Sequence, residues 1–193
     1  IQDFGPIRIA FRDSLFNVVA LASSTGFGNV RPDGIGDFVL WGSATQIILL
    51  FLMTVGGTTG STAGGMKVFR LQMGLKALKR ELRLFEHPKG VFQIKMGKES
   101  VESKIVASAL AFVALFITFV ILGTVVISIM GNDLLTAASG TISAMSNMGP
   151  ALGEAGPTAN YLVFTRPARG ILALLMILGR LEIYAVLLMV IAP

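Results

Sequence analysis

Residues 105–130 run for 26 positions without a charged side chain. A helix needs about 20 predominantly apolar residues to cross a bilayer, so this run demands a hydrocarbon environment and constrains everything connected to it. Composition agrees. Only 14% of the 193 residues are charged, against about 25% in soluble domains, and 53% are hydrophobic, so too few charges remain to solvate a surface. The 22 glycines fit membrane helices, where small residues let backbones approach closely. The fold class read from this is an all-α integral membrane protein.

The net charge of +5 is unevenly placed. Lys67, Arg70, Lys76, Lys79, Arg80, Arg83, Lys89, Lys95, Lys98 and Lys104 fall between positions 67 and 104, against Glu81, Glu86, Glu99 and Glu102. Lys/Arg-rich connections stay on the cytoplasmic side, so residues 67–104 are expected there. This patch holds Phe69, Phe85 and Phe92 but lacks the interleaved aromatics of a nucleic-acid surface. Asp33, Asp37, Asp133 and Glu154 then fall in outer turns, either as ordinary loop acids or as charges that concentrate cations at a pore mouth. The chain opens Ile1-Gln2-Asp3 with no initiator Met or signal peptide, which predicts a piece of a longer protein.

Two glycine peptides interrupt apolar segments. Residues 7–22 are helix-like but rise only about 24 Å, short for a span, and carry Arg8, Arg12 and Asp13. They end at Ser23-Ser24-Thr25-Gly26-Phe27-Gly28-Asn29. Residues 134–146 form a second short segment of small residues, ending at Ser146-Asn147-Met148-Gly149-Pro150. Each reads either as a Gly-rich turn or as a re-entrant loop whose backbone carbonyls replace a cation's hydration shell. Shifting the first peptide by 123 positions places Gly26 on Gly149, Phe38 on Tyr161, and Gly56-Gly57 on Gly179-Arg180. The order short helix, glycine peptide, polar turn, long helix therefore occurs twice. Internal repeats around a membrane pathway are a recurring transport architecture, and they favour the re-entrant reading.

A third irregularity runs through Gly56-Gly57-Thr58-Thr59-Gly60-Ser61-Thr62-Ala63-Gly64-Gly65. Each glycine costs a helix about 1 kcal/mol, so the helix expected over 38–84 is interrupted there. Irregular backbone at membrane depth survives only inside protein or beside a water-filled cavity. The run lacks the Gly-Lys-Ser/Thr end of a phosphate-binding loop and follows an expected membrane helix, which argues against an NTPase. Arg180 is costly mid-span and calls for a partner or an aqueous pathway. Glu182 lies two residues on and does not share its helix face.

Cysteine is absent, and the one histidine, His87, sits beside Pro88 in a charged loop. No nucleophile or acid–base cluster is present, which argues against an enzyme. Residues 87–100 read as a small hairpin or loop.

Together these motifs resemble a known family. Ser24-Thr25-Gly26-Phe27, the glycines from Gly56 to Gly65 followed by Met66-Lys67, His87-Pro88, Asn147-Met148-Gly149-Pro150 and Gly179-Arg180-Leu181-Glu182 are similar to the carboxy-terminal half of the Trk/Ktr/HKT potassium transporters, in their TrkH-type branch. The resemblance implies helix–pore-loop–helix repeats as in potassium channels. It makes 1–86 a third repeat lacking its first helix, with pore helix about 7–22, filter 24–28 and a broken second helix about 38–84. It makes 87–104 a cytoplasmic linker. It makes 105–193 a fourth repeat, with first helix 105–130, pore helix 134–146, filter 147–150 and second helix 161–193.

It also implies roles. Ser24, Thr25, Gly26, Phe27, Ser146, Asn147, Met148 and Gly149 would form filter walls, with potassium at Thr25, Gly26, Asn147 and Met148. Gly56, Gly57, Thr58, Thr59, Gly60, Ser61, Thr62, Ala63, Gly64, Gly65 and Arg180 would form a gate. The implied setting is a homodimer in a bacterial inner membrane, bound by lipid and by a cytoplasmic nucleotide-binding ring protein. Potassium is the transported substrate, with no organic cofactor. Sodium permeation and an alternating-access transporter with a broken-helix site remain the alternative readings.

Overall fold

The structure is a computed structural model that describes residues 5–181, apart from positions 33, 59, 62, 91 and 98. Asp33, Thr59, Thr62, Lys98, Glu182 and the expected helix beyond 181 lie outside the described residues. The described residues form six α-helices: α1 (Gly5–Ala22), α2 (Ser43–Val55), α3 (Val68–Glu86), α4 (Ser103–Ile129), α5 (Leu134–Ser146) and α6 (Arg166–Arg180). The 87–104 connection adds to the expected all-helical fold an antiparallel ladder of β1 (Lys95–Met96) with β2 (Glu99–Ser100).

Two helices stop where the sequence removes the means to continue. α2 ends at Gly56, whose φ of 67° leaves the helical region. α5 ends at Asn147, a left-handed residue whose N–H bonds back to Ala144. Asp133 starts α5 by accepting the Leu135 N–H at 3.1 Å, supplying an otherwise unmet helix-start acceptor. α6 starts with Pro167 in its first turn, where a missing N–H costs nothing.

Two starts differ from expectation. The helix expected from Phe38 begins at Ser43, because Asp37 caps a 3-10 turn at Phe38–Leu40 and the chain stays extended through Trp41 and Gly42. The helix expected from Tyr161 begins at Arg166, after a 3-10 turn at Tyr161–Val163 capped by Asn160. In both, a side-chain acceptor closes a short turn and redirects the chain before the apolar run begins.

α5 is the most enclosed helix. One core cluster joins α4 (Phe112, Phe116, Ile127), α5 (Ala137, Ala144, Met145) and α6 (Ala168, Leu172, Leu175). A second joins Leu21 of α1, Phe38, Leu49 and Met53 of α2, and Met148 and Leu152. A third joins Met73 and Ala77 of α3 to Ile94, Val106 and Ala109. Among the described residues α4 is the one helix long and apolar enough to cross a membrane, with mean hydropathy 2.9 over its best window, and most of that window faces outward.

Candidate functional site

The ends of α1 and α5 carry the two glycine peptides, and their backbones repeat one another. Thr25 N–H bonds to Ala20 O at 2.9 Å; 123 residues on, Met148 N–H bonds to Ser143 O at 3.0 Å. Ser24 N–H bonds to Leu21 O, and Asn147 N–H to Ala144 O. Ser24 and Asn147 are both left-handed, with φ 56° and 51°, and Gly26 and Gly149 have φ 77° and 112°. The match continues downstream. Val39 N–H donates to Asp37 Oδ1 and Leu162 N–H to Asn160 Oδ1, both at 3.0 Å. Trp41 N–H bonds to Phe38 O and Phe164 N–H to Tyr161 O. α2 and α6 then start at matched positions, Ser43 and Arg166.

The peptides touch. A Cβ on Gly26 would collide with the Met148 carbonyl oxygen, so only glycine allows this approach. Thr25 and Phe27 are exposed, and Thr25 Oγ1 shares a 2.7 Å hydrogen bond with Ser23 Oγ. Asn147 donates through Nδ2 to Met176 O of α6 at 3.0 Å. Tyr161 donates its hydroxyl to Gly149 O at 2.6 Å.

What holds each peptide against its helix is a polar clasp that the sequence reading missed. Behind the first, Asp13 is 2% exposed and Asn17 fully buried. Asp13 accepts from Asn29 Nδ2 at 2.8 Å, Arg31 Nη2 at 2.7 Å and Arg12 Nε at 3.1 Å. Asn17 accepts the Asn29 N–H at 3.1 Å and donates to Gly36 O at 2.7 Å. Behind the second, hydroxyls do the same work. Thr136 accepts Glu154 N–H, Ser139 accepts Leu152 N–H, and Ser143 accepts Gly149 N–H, at 3.1, 2.9 and 3.1 Å. These hydroxyls recur at i, i+3 and i+7, one helix face, a spacing visible in the sequence. Asp13 and Thr136 are themselves 123 apart, as are their partners Arg31 and Glu154. Asp37 and Asp133, expected as loop acids or cation attractors, serve as helix and turn caps.

The glycine-rich segment after α2 is an excursion with clamped ends. Met66 N–H bonds to Thr54 O, and Val68 N–H to Gly57 O, both at 3.0 Å. Within it Ser61 N–H bonds to Thr58 O, and Ser61 Oγ accepts the Ala63 N–H. The excursion sits under the second glycine peptide: a Cβ on Gly64 would collide with the Ser146 carbonyl oxygen, and one on Gly179 with that of Met145. Ser146 Oγ is buried without a hydrogen-bond partner among the described residues. A cavity of about 190 Å³ lies at this junction, lined by Ser61, Ala63, Gly64, Gly65, Lys67, Arg70, Phe112, Gly179 and Arg180. The Arg70 guanidinium lies 3.7 Å above the Phe112 ring, tying the start of α3 to α4. Lys67, at the junction of excursion and α3, has φ 63°. Of the residues expected to gate, Gly56 and Gly65 form the neck of the excursion, Gly57, Thr58 and Gly60 lie within it, and Thr59 and Thr62 are not described.

A family profile described as "TrkH: Cation transport protein" matches residues 4–193. The chain belongs to the TrkH family. Among TrkH-family relatives, it is 36% identical over 173 residues to the Trk system potassium uptake protein TrkI of Halomonas elongata, covering 89% of this chain and 34% of that protein. It is 30% identical over 179 residues to the Trk system potassium uptake protein TrkH of Escherichia coli, covering 93% of this chain and 35% of that protein. The crystal structure of the potassium transporter TrkH from Vibrio parahaemolyticus superposes with a TM-score of 0.72 at 26% identity, over 96% of this chain and 44% of that chain. The chain thus spans about a third of the length of the curated TrkH-family proteins it matches.

Proposed function

We propose that this chain supplies two adjoining walls of a potassium-conducting pore, as the third and fourth helix–loop–helix repeats of a TrkH-type subunit. The observation that carries the reading is the recurrence, 123 residues apart, of the same turn hydrogen bonds and left-handed residues at two glycine peptides that meet at Gly26 and Met148. In this reading α1 and α5 are pore helices. Their C-terminal ends, which carry partial negative charge, face the peptides and favour a cation there. Carbonyls of Thr25, Gly26, Asn147 and Met148 take the place of water around a dehydrating potassium ion, with Ser24, Phe27, Ser146 and Gly149 completing the two filter walls. α4 crosses the membrane, and residues 67–104 lie on the cytoplasmic side.

The excursion from Gly56 to Gly65 interrupts a membrane helix and forms the gate. It blocks the path below the second peptide, and Arg180 adds a positive charge that discourages cations from that space. The homodimer, the bacterial inner membrane and a cytoplasmic nucleotide-binding ring belong to the same proposal, on the strength of family membership. Residues 1–86, 87–104 and 105–193 divide it into third repeat, linker and fourth repeat.

Cation flux into liposomes carrying the full-length parent protein tests this, comparing K⁺, Rb⁺, Na⁺ and Li⁺. Fast K⁺ and Rb⁺ influx with slow Na⁺ and Li⁺ influx is expected. Equal Na⁺ influx would keep the pore and reject its potassium selectivity. Saturable, coupled flux without single-channel events would replace the pore with an alternating-access site.

A further inference from the structure

We propose that the cleft between α3 and the β1–β2 hairpin binds the phosphate headgroup of an anionic phospholipid of the cytoplasmic leaflet, with acyl chains laid along a neighbouring stripe of α3. The inference rests on the membrane placement proposed above and not on conduction.

α3 divides into three lengthwise faces at 100° per residue. Met73 and Ala77 pack against Ile94, Val106 and Ala109. The next face carries Lys76, Lys79, Arg80 and Arg83, which with Lys95 and Phe92 line a cleft of about 160 Å³. The third carries Leu75, Leu78, Leu82 and Phe85, each more than half exposed. Lys76 Nζ is held at the cleft by the Lys95 carbonyl and by Met96 Sδ, so its charge is fixed in place. Arg80 pairs with Glu81 at 2.7 Å, and the five cationic side chains in the lining, Lys76, Lys79, Arg80, Arg83 and Lys95, leave the cleft positive.

Depth and shape select the occupant. Ala77 shares one packed cluster with Val106 and Ala109 of α4, and Val106 is the second residue of the uncharged run that follows Lys104. Lys76, Lys79 and Arg80 therefore lie within about a helical turn, roughly 5 Å, of Ala77 along the axis and Arg83 about 9 Å from it, which sets the basic face near the level where apolar chain gives way to polar chain, the level of lipid phosphates. Basic pockets at the cytoplasmic ends of membrane helices suit anionic headgroups. The leucine stripe directly borders the basic face, giving one surface for a charged head and another for a hydrocarbon tail. An acidic peptide would meet the first and leave the second uncovered.

Native mass spectrometry of the full-length parent protein, exchanged into mixed phosphatidylglycerol, cardiolipin and phosphatidylcholine, reads the occupant directly. The wild type is expected to retain an anionic lipid in preference to phosphatidylcholine. Lys79→Gln with Arg83→Gln should weaken that retention by about fivefold per cation removed, whereas Lys79→Arg should retain it. Leu78→Ser should weaken it too, a readout independent of the charge variants if those fail to fold. Equal retention in wild type and double variant overturns the proposal, as does equal retention of phosphatidylcholine. Loss of dimer without loss of lipid in Leu78→Ser overturns it in favour of a contact between copies, and full displacement by inorganic phosphate reduces the site to an ion cleft.

Discussion

Asp13 takes hydrogen bonds from Asn29 and Arg31 while almost closed off from the surface, so its charge is committed to holding the chain that leaves the first glycine peptide. Asp13→Asn keeps the size and removes the charge. We expect the K⁺/Na⁺ permeability ratio to fall several-fold while the protein still folds and inserts; a ratio equal to wild type would limit the clasp to a folding role. Tyr161→Phe deletes only the hydroxyl that meets the Gly149 carbonyl, worth about 1 kcal/mol, and should shift the same ratio with little change in melting temperature. Gly149→Ser should lower it further, because a φ of 112° costs a side-chain-bearing residue on the order of 1–3 kcal/mol. At this scale the sequence was half legible. Gly26 and Gly149 stand out because small residues recur at one spacing. Asp13 and Asn17 do not, because their partners lie 12 to 19 residues away and exist only once α1 has folded against the chain behind it. A charge on a short helix with apolar neighbours reads as exposed until that chain closes over it.

The excursion between α2 and α3 is closed at its neck by two backbone hydrogen bonds, so the two helices hold their relation whether or not its tip is present. Removing residues 58–63 should therefore leave a folded protein with raised basal flux; flux at or below wild type would take the gating role away from this segment. Gly64→Ala should act in the same direction, since a methyl there cannot share space with the Ser146 carbonyl and the excursion must lift. Glycine density made the interruption legible in the sequence. Helix starts were less so. The capped turns at Phe38–Leu40 and Tyr161–Val163 are apolar in composition and merge with the runs that follow, and only the Asp37 and Asn160 side chains, each bonding two residues ahead, separate them.

Across the whole molecule, three cationic side chains, Lys67, Arg70 and Arg180, line one cavity at the junction of excursion, α4 and α6. At an effective dielectric near 20, a cation about 10 Å from one such charge loses roughly 1.7 kcal/mol, more than a tenfold drop in occupancy. Arg180→Ala should raise basal K⁺ flux by about that factor, measured in the same liposomes, and unchanged flux would remove Arg180 from the pathway. The two-fold internal pattern was legible in glycine spacing alone. Its chemistry was not, since a carboxylate and an amide serve one copy where three hydroxyls serve the other. The abutment of Gly26 on the Met148 carbonyl carries a consequence for how such a protein changes over generations. Neither peptide packs independently of the other, so substitutions in one will be tolerated or rejected according to the residue already present in the other. Variants on the two sides of that contact should depart from additivity by about 0.5–3 kcal/mol, and the halves are bound to vary as a pair.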